Sequence, residues 1–114
     1  MLQVTSHHRI HIAVSAVDFR RGITGLTAIC KKVLKTDPFN GHIFVFRNRL
    51  GTSVKLLVYD GNGFWCCQKR FSKGYLAWWP RSTNLAETIP AVQLQVLLQQ
   101  GSPVKLGQDW RALQ

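Results

Sequence analysis

Between Phe39 and Arg81 the chain carries ten of its twelve aromatic residues, with seven Lys or Arg and a single acid, Asp60. Aromatic rings interleaved with unpaired cations can stack on a partner's flat groups while the charges hold phosphate or carboxylate. Ordinary solvated faces mix both signs, so a segment this one-sided points to an anionic partner. The cations that could grip phosphate are Arg20, Arg21, Lys31, Lys32 and Lys35 upstream, then Arg47, Arg49, Lys55, Lys69, Arg70 and Lys73 within the segment. If six of them reached phosphates, affinity would fall by about three decades between roughly 50 and 200 mM salt. Trp65, Trp78 and Trp79 could stack on unpaired bases, or pack into a core or an interface.

Catalytic chemistry finds less support. Metal-assisted phosphoryl cleavage needs carboxylates converging on one cluster. The acids are Asp18, Asp37, Asp60, Glu87 and Asp109, and the first three sit where caps and turns already account for them. A nuclease built on two alternating histidines is also disfavoured, because His8 and His11 fall on opposite faces of a strand and His42 is distant in sequence. Cys66 and Cys67 are adjacent, so a strand would point them to opposite faces, away from a shared metal. No phosphate-binding loop of P-loop spacing is present. The expectation is a protein without catalytic residues, metal or cofactor.

At 114 residues there is room for one domain. Fifteen Lys and Arg against five acids give a formal charge of +10, which suits nucleic acid, an acidic protein surface or an anionic membrane. Membrane is the weakest of these, because no apolar run approaches the roughly 20 residues of a spanning helix. Met1 to Arg9 lacks the apolar stretch of a signal peptide. Three cysteines without a C-x-x-C pair fit structural thiols in a reducing cytoplasm.

The elements that must position these residues can be read from periodicity. Residues 1–8 read as a loose arm and Arg9–Val14 as a short strand, with Ile10, Ile12 and Val14 on one side. Asp18 is the expected N-cap of a helix over Phe19–Lys35. Its apolar face would hold Phe19, Ile23, Leu26, Ile29, Cys30, Val33 and Leu34, with the five upstream cations within an arc of about 120° on the other side. Gly22 and Gly25 would be explained by close packing of the backbone against a neighbour, either the sheet or a ligand. Strands over His42–Arg47, Ser53–Tyr59, Phe64–Phe71 and Tyr75–Trp79 follow, joined by Gly-containing turns, as an antiparallel meander. Arg81–Thr88 reads as irregular, and Pro90 opens a helix that ends near Gly101. The expected fold is α+β: a meander of about four to five strands packed by one main helix, plus a C-terminal helix. The domain would span residues 9–101, followed by a tail over 102–114 with Trp110 as a possible anchor.

Taken in order, several of these pieces form a pattern. Asp18-Phe19-Arg20-Arg21-Gly22 is followed by Gly25-Leu26 and then by Asp37-Pro38-Phe39-Asn40-Gly41-His42-Ile43-Phe44-Val45-Phe46. Lys55–Leu57, Tyr59-Asp60-Gly61-Asn62-Gly63-Phe64, Lys69-Arg70-Phe71, Gly74 and Trp79-Pro80 continue it. This ordered set resembles the Orf2-like accessory proteins, also called TnpB, of the insertion-sequence-66 family of bacterial transposable elements. These are distinct from the RNA-guided nucleases that share the name. The resemblance implies a non-catalytic accessory role in DNA transposition, beside a separate transposase that carries the acidic catalytic triad. The expected partners are DNA at the element ends and that transposase. The alternative is an adaptor that docks on the transposase without touching DNA.

Overall fold

The computed structural model describes residues 4–102. Its elements run β1 (Ile10–Ala13), α1 (Ile23–Lys32), β2 (Ile43–Arg47), β3 (Ser53–Tyr59), β4 (Phe64–Arg70), β5 (Ala86–Ile89) and α2 (Ala91–Leu98). The strands form one sheet in the order β4-β3-β2-β1-β5. Strand alternation gives this sheet two apolar faces. Ile10, Ile12, Ile43, Val45, Val54, Leu56 and Val58 pack with Leu94 and Leu97 of α2. Ala13, Phe44, Phe46 and Leu57 pack on the opposite face with Leu26 and Cys30 of α1. Each large side chain fully buried in these layers contributes about 1.5–3 kcal/mol. Among the described residues no helix is long and apolar enough to cross a membrane.

The α+β architecture expected from the sequence is the observed one. The antiparallel meander is β2-β3-β4, and Phe44↔Leu57 and Leu56↔Cys67 fix its register. The sheet as a whole is mixed, because β1 pairs parallel to β2, with Ile10 opposite Ile43. A parallel pair needs a crossover, and α1 supplies it. The fifth strand lies at Ala86–Ile89, where an irregular link was expected, and it pairs antiparallel to β1 with Ile10 opposite Ile89. The segment Tyr75–Trp79, expected as a strand, is a strap across the α2 face of the sheet. A strand there would have lain beside β4, whose outer residues are exposed and could not bury two indoles. Crossing the sheet instead lets Leu76, Trp78 and Trp79 cover the apolar core.

Helix α1 is shorter than Phe19–Lys35. Gly22, in an extended conformation, takes the N-cap position that was expected of Asp18. Asp18 instead closes a turn: its Oδ1 accepts the Arg20 N–H at 2.9 Å, and its carbonyl accepts the Arg21 N–H. Packing of the two glycines against a neighbour is also corrected. A Cβ on Gly22 would meet nothing within 4 Å, and one on Gly25 would meet Arg21 Cβ at 2.9 Å, the side chain one turn earlier. At the N-terminal side, His8 N–H donates to Thr5 O, and Val4 packs against the core. The tail beyond Ser102, with Trp110, lies outside the described residues.

Candidate nucleic-acid interface

The strap is fastened at several points, and those points shape a groove. Gly51, in the left-handed region with φ 72°, turns β2 into β3 and offers its carbonyl to Leu76 N–H at 2.8 Å. Trp79 Nε1–H donates to Ala13 O at 2.9 Å, which ties the indole to β1. At the end of α2, Gln100 sits at φ 62°, with Gln100 N–H on Leu97 O and Gly101 N–H on Val96 O. That is a Schellman closure with glutamine in the place usually held by glycine. The strain has a use, because Gln100 Nε2 donates to Lys73 O at 2.7 Å and Tyr75 O at 3.1 Å. Gly101 must stay bare here, since a Cβ would lie 2.7 Å from Val96 Cγ1.

The resulting groove has a volume of about 820 Å³ between the β2–β3 turn, the strap and the β5–α2 junction. Arg47, Arg49 and Arg81 line it together with Tyr75, Trp78 and Trp79. The Arg47 guanidinium lies 5.9 Å from the centre of the Trp79 ring and donates through Nη1 to Asn48 O and Arg49 O. Its Nε is buried and has no hydrogen-bond partner among the described residues. The one carboxylate in the lining, Glu87, is engaged by Ser82 Oγ at 2.6 Å and Asn84 Nδ2 at 2.9 Å, which hold its carboxyl below the usual range. Among the described residues the ion pair is Arg20 with Asp18 at 2.6 Å, so the three groove arginines are not neutralised by carboxylates. Arg49 also lines an adjoining cleft with Phe19, Asp18 and Arg20, where the Arg20 charge is paired with Asp18.

The other expected contact residues are distributed by the topology. Arg70 lies opposite Ser53 and Arg47 opposite Val54, so the end of β4 and the β2–β3 turn share one end of the sheet. Arg70 and Lys73 are exposed there. Lys69 donates to Leu98 O at 2.6 Å, which places a cation on the C-terminus of α2. Arg20 and Arg21 precede α1 at this same end, where Val17 N–H reaches Arg47 O. Hydrogen bonding to Arg20 holds the Asp18 carboxyl down at about 2. Lys31 and Lys32 occupy the last turn of α1, roughly 15 Å further along its axis. Lys31 Nζ sits 5.4 Å from the Phe39 ring centre, and Lys35 follows at φ 55°. The five upstream cations therefore form two groups rather than one helical stripe. Lys55 is buried in the sheet, donating to Phe19 O and Arg21 O.

Arg81 and Tyr75 were absent from the expected contacts, although both fall within the aromatic and cationic segment from Phe39 to Arg81. Among the described residues, the acids outside the groove serve turns: Asp18 accepts from Arg20 N–H, Asp37 from Phe39 N–H, and Asp60 from Asn62, Gly63 and the Trp65 indole. Burial pushes the Cys30 thiol up to about 12 and Cys66 upward as well, so neither is primed as a nucleophile. Cys66 and Cys67 face opposite layers, as strand alternation requires.

A second juxtaposition had no local sequence signal. Parallel pairing of β1 and β2 brings His11 Nε2 within 2.8 Å of His42 Nδ1, with His11 stacked on Phe44. Asn40 Oδ1 accepts the His42 backbone N–H, which orients the amide so that its Nδ2 donates to the same His42 Nδ1. An amide nitrogen can only donate, so His42 Nδ1 accepts and the proton of this bond belongs to His11. Both imidazoles are held below their ordinary pKa, His11 by burial and the charges of His42 and Arg9, His42 by burial and Arg9. The folded state thus binds fewer protons than the unfolded chain below pH 6.5, so stability falls as pH drops through that range. Thermal melts should show a lower midpoint at pH 5 than at pH 7, and His42→Asn should flatten that dependence. Loss of the depressed carboxylates, Asp18, Asp60 and Glu87, belongs to a separate window below pH 4.5.

Comparison with known proteins adds an independent line. The chain is similar to the uncharacterized protein y4hO of Sinorhizobium fredii (strain NBRC 101917 / NGR234), 35% identical over 97% of this chain and 90% of that protein. It is also 39% identical to y4jC of the same organism, over 58% of this chain and 56% of that protein. No solved structure matches. The family model described as IS66 Orf2 like protein matches residues 8–108, which takes in the sheet, both helices and the groove. The chain therefore belongs to the IS66 Orf2-like family, which is associated with transposition of insertion-sequence-66 elements.

Proposed function

We propose that this chain is a non-catalytic accessory protein of DNA transposition that binds DNA at or near the element ends and assists a separate transposase. The observation that carries the reading is the groove, where Arg47, Arg49 and Arg81 meet without a carboxylate partner beside Trp78 and Trp79. Guanidinium groups suit phosphate because they donate in a planar fork and stay charged at every physiological pH. The exposed Arg70 and Lys73 at the same end of the sheet extend the field. Family membership supplies the transposition setting.

The test is a gel-shift titration of element-end DNA against salt. The parent protein should show a steep loss of affinity with salt. Arg49→Ala with Arg81→Ala should lower the slope of log K against log salt by about 2, one unit for each phosphate left without its guanidinium. Lys31→Ala with Lys32→Ala, at the far end of α1, should leave the slope within about half a unit. No DNA shift, with salt-insensitive binding to the transposase, would replace this reading by the adaptor.

A further inference from the structure

We propose that the groove accepts an unpaired stretch of DNA, with a base stacked on Tyr75 and the flanking phosphates held by Arg47, Arg49 and Arg81. This rests on the DNA-binding reading above and specifies the form of DNA that the groove takes. Tyr75 is 66% exposed, ahead of Phe39 at 49% and Trp65 at 41%. A large ring left this open on a strap otherwise devoted to covering the core has an apolar face available to a partner. Phe39 differs, because its ring is packed edge-on against Tyr59 and lies under Lys31. Trp65 differs too, since its indole N–H is bonded to Asp60 at 2.7 Å.

The backbone that carries the ring is also held in place before any partner arrives. The Tyr75 carbonyl accepts from Gln100 Nε2, and the Leu76 N–H donates to Gly51 O. Gln100 adopts a left-handed conformation to make its contact, and local strain of this kind persists where the surroundings hold it. An anchored backbone loses little freedom on binding, which favours affinity.

Shape decides between paired and unpaired DNA. In a duplex each base face is covered by its neighbours, so an aromatic side chain can stack only on a base that has left the helix. A groove of about 820 Å³ falls in the size range of small-ligand sites and cannot enclose a duplex. Arg47, Arg49 and Arg81 line the same groove as Tyr75, and base–aromatic stacking is tolerant of sequence.

The experiment uses the full chain and two probes of one sequence, a fluorescein-labelled single strand of about 12 nucleotides and its blunt duplex. The single strand should bind at least about tenfold more tightly than the duplex, and Tyr75→Ala should lower its affinity about tenfold with the salt slope unchanged. Tyr75→Phe should retain affinity, and Arg81→Ala should reduce the salt slope. Equal or tighter duplex binding, with Tyr75→Ala neutral on both probes, would overturn the unpaired-strand proposal while leaving DNA binding standing. Binding of neither probe by the folded parent protein would overturn both.

Discussion

Replacing Trp79 by alanine is expected to cost about 3 kcal/mol of folding stability, toward the low end for loss of a large aromatic because the ring is only partly buried. Three losses coincide. The indole leaves the layer it shares with Leu76, Trp78 and the apolar side chains of β1, β2 and β3. Ala13 O loses the N–H that reaches it at 2.9 Å, and a buried carbonyl without a donor is itself costly. The Arg47 guanidinium, 5.9 Å from the ring centre, loses its aromatic backing. Trp79→Phe separates these contributions, because it keeps a ring and removes the donor; about 1–1.5 kcal/mol should be lost. Urea unfolding followed by circular dichroism reads both values, with an unchanged slope as the check that both variants unfold in the same way. Tyr75→Ala, by contrast, should stay within about 0.5 kcal/mol, since its ring is exposed. A Trp79→Ala protein as stable as the parent would mean that the strap is not fastened to the sheet, and the groove would have no fixed wall.

That contrast bears on how much of the molecule its sequence discloses. The β2-β3-β4 meander was legible because short apolar runs are separated by glycine-containing turns at Asn48–Gly51 and Asp60–Gly63. The strap was not, since Tyr75-Leu76-Ala77-Trp78-Trp79 has the composition of a strand. Its path depends on which free surface can bury two indoles, and the exposed edge at β4 cannot. Strand β5 was hidden for the opposite reason. Ala86-Glu87-Thr88-Ile89 lies at a sheet edge with little apolar content, and it is recruited by hydrogen bonding to β1 rather than by periodicity. The start of α1 was misjudged because an aspartate before a helical pattern can cap the helix or close a turn, and Asp18 closes a turn around Arg20. The same division holds for the site. Positive charge and aromatic content were visible in composition, but the end of the sheet on which each cation falls depends on topology. The pairing of His11 with His42 required the parallel register of β1 and β2, which no local signal announces.

Lys55 tests whether position in the fold, rather than charge, decides what a cation does here. It is 7% exposed, and its ammonium donates to Phe19 O at 3.0 Å and Arg21 O at 2.9 Å, with the Phe19 ring centre 4.9 Å away. Those two carbonyls belong to the turn that precedes α1, so the lysine fastens the helix entry to β3. Lys55→Met keeps much of the volume and removes the donor. Each bond from a charged donor contributes about 1.5–3 kcal/mol, offset in part because a buried charge no longer has to be desolvated. The expected loss is about 2–3 kcal/mol in urea unfolding. Because the amine faces inward, the DNA affinity of the folded fraction and its salt slope should match those of the parent protein. The opposite pattern, with unchanged stability and a salt slope reduced by about 1, would place Lys55 at the DNA interface. It would also show that the turn at Phe19–Arg21 opens on binding. Under the observed packing, a lysine counted with the phosphate-gripping cations by sequence alone is a structural clamp, which leaves the proposed DNA contacts to the exposed cations.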